Sequence, residues 1–336
     1  MDIFNPYYLQ IVMFFIINAI LGISIYFTLA SGQLSLGAAG FMSVGAYVGA
    51  LLSLKADLPI VVGILVGGFV AALVAVVIGL PTTRLKGLYL AIATLGFGEV
   101  VRVIFLNLDV TNGALGLSGI PSIPQELTNF AYEIDIDGLM GIDAVAWGNI
   151  MAIIILLIVL IFIIAFCVRI NNSRVGRAFA AIKADDHAAE LMGINVVYYK
   201  MMAFIIGAFI AGIGGGLYAH ITNFINPTDF SYHKVVQILL FPVFGGSNVV
   251  WGSVLGSFIL TLLPEVLRFL SDYRDIIYGA LLVILMAVRP DGILTESMVD
   301  KISRKLGLKK ATYIPETQVL TERFEAYKRK QQDKQG

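Results

Sequence analysis

Charge and cysteine are what this sequence has least of. Of its 336 residues only 14% are Asp, Glu, Lys or Arg, while 58% are hydrophobic, which excludes an ordinary soluble domain. The single cysteine, Cys167, lies in an apolar run, so neither a disulfide framework nor a cysteine-based metal site is available. The three histidines, His187, His220 and His233, are scattered, and no H-E-x-x-H pair occurs. No stretch matches G-x-x-x-x-G-K-S/T, so the chain is not expected to hydrolyse nucleotide itself. Nor is it expected to hold a metal or cofactor, or to bind nucleic acid. Gly116-Leu117-Ser118-Gly119 superficially matches the nucleophile box of an intramembrane serine protease. That chemistry needs its serine in an embedded helix beside a histidine base. Here glycines 113, 116 and 119 with Pro121 and Pro124 read as turn residues of a loop.

Basic residues are missing over two long stretches. None precedes Lys55, so there is no basic leader region and Tyr8–Ala30 reads as a retained span. None lies between Arg102 and Arg169, where Asp109, Glu126, Glu133, Asp135, Asp137 and Asp143 accumulate. Loops rich in Lys and Arg mark the cytoplasmic side. They hold Arg84 and Lys86, then Arg169, Arg174, Arg177, Lys183 and Lys200, then Arg289, Lys301, Arg304 and Lys305 after the last span. The acidic loop 107–147 therefore belongs outside with the N-terminus, and the C-terminus is cytoplasmic.

Apolar runs of the roughly 20 residues needed to cross a hydrocarbon core of about 30 Å recur along the chain. They place spans at 8–30, 36–54, 60–80, 88–106, 148–168, 201–220, 234–245, 252–270 and 274–288. The expected fold is an all-α, polytopic membrane bundle of about eight to ten transmembrane helices, some broken or re-entrant. Residues 1–293 form the membrane domain. Residues 294–336 form a charged cytoplasmic tail, a solvated segment that partly lies on anionic lipid.

Within this apolar frame a few polar features stand out. Residues 171–195 form a charged, helix-forming island with Asn171-Asn172-Ser173 as its N-cap and Gly193 as its close. Such an element on the basic side suits a grip by a soluble partner. Ser31–Gly37 reads either as a tight turn or as an unwound stretch of one broken helix, and 234–245 is too short to cross unless tilted or re-entrant. Glu99 and Arg102, spaced i,i+3, are set to neutralise one another on one helix face; Glu265 and Arg268 repeat the spacing. Glycines 207, 212, 214, 215 and 216 allow close helix packing, or a sliding interface.

Several segments in order carry a resemblance. They are Gly32-Gln33-Leu34-Ser35-Leu36-Gly37 with Gly45-Ala46-Tyr47, then Arg84-Leu85-Lys86-Gly87-Leu88-Tyr89-Leu90-Ala91-Ile92-Ala93-Thr94 and Phe97-Gly98-Glu99. Gly116-Leu117-Ser118-Gly119-Ile120-Pro121, Ser173-Arg174-Val175-Gly176-Arg177-Ala178, Gly245-Gly246 and Trp251-Gly252 with Val254-Leu255-Gly256 follow. Together they cover most of residues 30–293, and the chain resembles the LivM-type permeases of branched-chain amino acid ABC importers. That family also includes urea and short-amide permeases. Where importers often carry Glu-Ala-Ala-x-x-x-Gly, this chain has His187-Ala188-Ala189 and Gly193. Ala38, Asn248 and Ser253 are further departures from the family's pattern.

The resemblance implies a transport subunit of a bacterial or archaeal plasma (inner) membrane, not an enzyme. Its implied partners are two ABC ATPase subunits that use the ATP, a homologous second permease of the LivH type, an extracytoplasmic solute-binding protein, and membrane lipid. The ATPases would grip the island at Arg174, Gly176, Arg177, Asp185, Asp186, Ala188, Ala189 and Gly193. For the substrate, Gln33, Ser35, Tyr89 and Thr94 with backbone at Gly32 and Gly37 offer fixed dipoles beside an apolar wall. Alternatives are the same importer class carrying urea or short amides, and an ion-coupled secondary transporter needing no ATPase.

Overall fold

Hydrocarbon offers no water to a backbone, so each long apolar run must close its hydrogen bonds internally. Every such run among the described residues is helical. The structure, a computed structural model, describes residues 6–82, 85, 87–135, 143–266, 279–280, 283 and 292–294, all within the unit Met1–Thr295. Arg84, Lys86, Asp137, Arg268, Arg289, the expected span 274–288 except residues 279, 280 and 283, and the tail beyond Leu294, with Lys301, Arg304 and Lys305, lie outside the described residues.

Helices α1 (Pro6–Ala30), α2 (Ala38–Lys55), α3 (Ile60–Thr82) and α4 (Leu88–Asn107) come first. Strand β1 (Leu117–Ser118) and α5 (Ile123–Glu133) follow. Next come α6 (Ala144–Asn171), the short α7 (Arg174–Ala184) and α8 (Asp186–Leu191), and the long α9 (Val196–Thr222). Strand β2 (Phe224–Ile225), α10 (Tyr232–Gly245) and α11 (Val250–Val266) complete the described chain. Among the described residues six helices, α1–α4, α6 and α9, are long and apolar enough to span a membrane; α10 and α11 form a pair bent by 119°. The expected spans 148–168 and 201–220 extend to Ala144–Asn171 and Val196–Thr222. The short run 234–245 is the first arm of the bent pair. It stops just after Pro242, where Gly246 takes φ +125° and a chain reversal becomes possible.

The two ends of the bundle differ. At one, Lys55 Nζ donates to Val110 O (3.2 Å), and β1 pairs antiparallel with β2, Leu117 opposite Ile225 and Ser118 opposite Phe224. At the other, α7 packs against the ends of α1 and α6, and α8 meets the start of α9 through Asp186 and Lys200. The loop 107–147 is thus more structured than the plain loop expected. A two-residue ladder is too short to leave a periodic trace, and α5 starts at a Ser122 whose side chain makes no cap.

Helices α1, α2 and α9 form the centre, with Ile20, Leu21, Met42, Tyr47 and Ile210 buried. Helices α3 and α6 flank them and expose Val61, Phe69, Leu73, Ile158 and Phe162, faces suited to lipid. Association in lipid relies on close packing rather than water exclusion, and the centre supplies it through backbone contact. A Cβ at Gly45 would lie 2.1 Å from Gly212 O, and one at Gly215 would lie 1.9 Å from Met42 O. These glycines are packing positions. Gly45→Ala or Gly215→Ala should lower stability in nanodiscs by at least the 1–3 kcal/mol typical of overpacking, roughly. Gly96→Ala on α4, where a Cβ meets nothing within 4 Å, should be neutral or stabilising; thermal denaturation of the three variants checks the contrast.

Candidate functional site

Two polar constellations stand out against the apolar bundle. The first is the island. Ser173 caps α7, its Oγ accepting from Val175 N at 3.1 Å. Asn171 Nδ2 donates to Tyr26 Oη at 2.8 Å, fastening the island's root to α1. A Cβ at Gly176 would sit 2.3 Å from Asn171 O, so only glycine lets α7 turn back so tightly on the end of α6. Ala178, Phe179 and Ile182 are buried beneath the island, while Arg174 and Arg177 are exposed.

Asp185 and Asp186 are engaged within the chain, which changes how they are read. Asp185 caps α8, its Oδ1 accepting from His187 N (2.8 Å) and Ala188 N (3.0 Å). Asp186 pairs with Lys200 at the start of α9. Both therefore help shape the island. Ala188 is exposed and Ala189 buried, and Gly193 at φ +82° closes the element. Beside it Leu191 is 89% exposed and Met192 83% exposed. Sequence reasoning passed over these two. Their signal was an apolar pair just before the terminal glycine of an otherwise polar helix, and an exposed apolar patch of that kind marks a contact surface.

The second constellation is the interruption at Ser31–Gly37. It begins as a turn at Ser31–Gly32 and continues as a mostly buried link between α1 and α2, which are separate helices, so the loop reading is the one the structure favours. Ser31, Gln33 and Ser35 are all buried. Gln33 N bonds to Thr28 O (2.8 Å), Leu36 N to Thr94 Oγ1 (2.9 Å), and Gly37 N to Ser35 Oγ (3.3 Å). Gly32 takes φ +74° to start the link. The side-chain amide of Gln33, 3% exposed, has no partner at either atom among the described residues. Ser35 lines a cavity of about 10 Å³ with Ser24, Thr28 and Gly207, room for about one water.

Of the expected pathway residues, the structure brings together Gly32, Gln33, Ser35, Gly37 and Thr94. Tyr89 is separate. It is 75% exposed on the outer face of α4, in a stripe with Ile92, Gly96 and Glu99. Arg102 Nε donates to both Glu99 oxygens, at 2.9 and 3.0 Å, forming the expected pair. Glu265 accepts from Tyr7 Oη at 2.6 Å. Ser118 lies on the exposed ladder, while buried His220 is spent on Ser53 Oγ (2.9 Å) and Gly216 O (2.7 Å).

A buried amide without partners costs about 1–3 kcal/mol. Gln33→Met should therefore raise unfolding stability by up to about that amount while lowering uptake. A melting curve paired with a transport assay reads both, and unchanged uptake would remove Gln33 from the pathway.

With this geometry in view, comparison with known proteins is informative. Residues 7–286 match the family described as branched-chain amino acid transport system, permease component. The high-affinity branched-chain amino acid transport system permease protein LivM of Escherichia coli K12 is 32% identical over 272 residues, 79% of this chain and 64% of the relative. LivH of the same strain, another permease protein of that high-affinity system, is 30% identical over 154 residues, 45% of this chain and 50% of LivH. A probable branched-chain amino acid transport permease protein LivM of Methanocaldococcus jannaschii is 25% identical over 276 residues, 74% of each chain. The match thus spans less than two thirds of the length of the bacterial LivM relatives. No solved structure matches the chain. Family match, polytopic helical bundle and interrupted helices agree, and the chain belongs to the branched-chain amino acid transport permease family.

Proposed function

We propose that this chain is a membrane subunit of an ATP-driven importer, moving branched-chain amino acids with a second, homologous permease. The observation that carries the reading is the pairing of an exposed, charged and apolar island surface with a polar break in one bundle. Arg174, Arg177, Leu191 and Met192 present charge and apolar surface together at the island end. The link between α1 and α2, whose buried Gln33 amide has no partner among the described residues, packs against the island at Lys183. Backbone freed from helix geometry in membrane proteins is tolerated where it lines a cavity or is buried in protein. It supplies fixed dipoles for a zwitterion's ends, while the surrounding aliphatic wall suits a branched side chain.

The stripe on α4 supports the second permease. Glu99 has a side chain 51% exposed in the isolated chain, well inside a helix of 20 residues. Intramembrane charges face protein or a water-filled path rather than lipid. Arg102 does not reach for the interface either, because its fork turns back one helical turn to Glu99. A homologous permease against this stripe would enclose both the pair and Tyr89. Urea and short amides suit an aliphatic wall less well than leucine-type side chains. The solute-binding protein would dock at the end carrying β1 and α5, and the ATPases would supply all ATP hydrolysis.

The test is reconstitution of the chain with its ATPases and partner permease in proteoliposomes. Leucine-loaded binding protein should stimulate ATP hydrolysis. Combined Arg174→Ala and Leu191→Asp should cut that stimulation about fivefold or more, the lower range of coupling free energies. Uptake that persists without the ATPases and collapses with a proton uncoupler would instead establish an ion-coupled carrier.

A further inference from the structure

We infer that Lys183 is a positioning residue that ties the island to both the α1–α2 link and the α10–α11 bend, so that one displacement of the island is delivered to both. The inference rests on the importer reading above and names the part that would transmit its motion. Lys183 occupies the last turn of α7. Its main chain packs on the first interruption, where a Cβ added at Gly32 would lie 3.2 Å from Lys183 Cα. Its side chain reaches the second, Nζ donating to Asn248 Oδ1 at 2.5 Å. Asn248 sits in the short break between α10 and α11, whose axes turn through 119°.

Other ties from the island do something different. Asn171 meets Tyr26 within α1, and Asp186 meets Lys200 within α9. Both partners lie in unbroken helix, which moves as a rigid rod. Among these contacts the Lys183 pair ends on backbone that is already free of helical hydrogen bonds. That backbone is braced locally: Ile293 N donates to Phe244 O (3.0 Å) and Leu294 N to Gly245 O (2.9 Å). A lysine suits the task, since a flexible four-carbon stem ending in three donors follows a moving acceptor. Packed interfaces respond to such shifts by switching between discrete arrangements rather than by deforming smoothly.

The test uses the full reconstituted importer. Lys183→Met keeps the stem and removes the donor, and Asn248→Ala removes the acceptor from the far side. Both should retain assembly with the ATPases and basal hydrolysis, and both should lose stimulation by loaded binding protein about fivefold or more. The double variant should be no worse than either single one, since the two share one interaction. Asn248→Asp, which restores an acceptor, should recover coupling. Wild-type-like stimulation in Asn248→Ala, or additive losses in the double variant, would overturn the inference even if Lys183→Met failed to assemble. A wild-type complex that shows no stimulation would sink the importer reading, and this inference with it.

Discussion

Backbone hydrogen bonding without water is the constraint on which this structure depends. A peptide group left unpaired in hydrocarbon costs several kcal/mol, so a membrane chain departs from helix only where replacements are at hand. Both interruptions meet that condition. At Ser31–Gly37, Thr28 O, Thr94 Oγ1 and Ser35 Oγ take over from lost helical partners. Between α10 and α11, Gly246 N bonds to Pro242 O (2.9 Å) and Gly252 N to Val249 O (2.9 Å). Threonine and serine inside apolar helices are thus part of the interruption's own construction.

A second constraint sets which parts can move. Helices α2, α3 and α9 touch backbone to backbone, with a Cβ at Gly67 falling only 2.6 Å from Gly45 O and one at Gly49 3.3 Å from Gly63 O. Such contacts leave no slack, because side chains that might repack are absent. The sliding interface that the glycines also suggested therefore fits this block poorly. Rearrangement is cheaper at the two breaks, where backbone is released from regular helical hydrogen bonding. The molecule divides into a tight central block and two hinge-like links, and the island lies against the first link and bonds to the second.

The charged groups follow the same logic. Glu99 and Arg102 cancel one another along one helix, and Asp186 with Lys200 does so across two. The first pair cannot be a purely local device, since its carboxylate remains half exposed on a membrane helix. It calls for a neighbour. The apolar groove of about 720 Å³ between α3, α6 and α9, lined by residues such as Ile64, Ile158, Phe162 and Ile213, makes no such demand. Lipid chains satisfy aliphatic walls as well as protein does.

Much of this architecture was legible in the chain. Apolar run length sets helical spans because lipid leaves the backbone no alternative, and Ser173 and Gly193 marked the island's limits because caps are local chemistry. The Glu99–Arg102 pair followed from spacing alone. Tertiary structure decided what local pattern cannot carry. It buried Gln33 without a partner among the described residues, and it exposed Leu191 and Met192. It also set Lys183 against Gly32 and Asn248, residues far from it in sequence. Such meetings depend on how rigid helices stack, and a sequence read one segment at a time contains the helices but not their stacking.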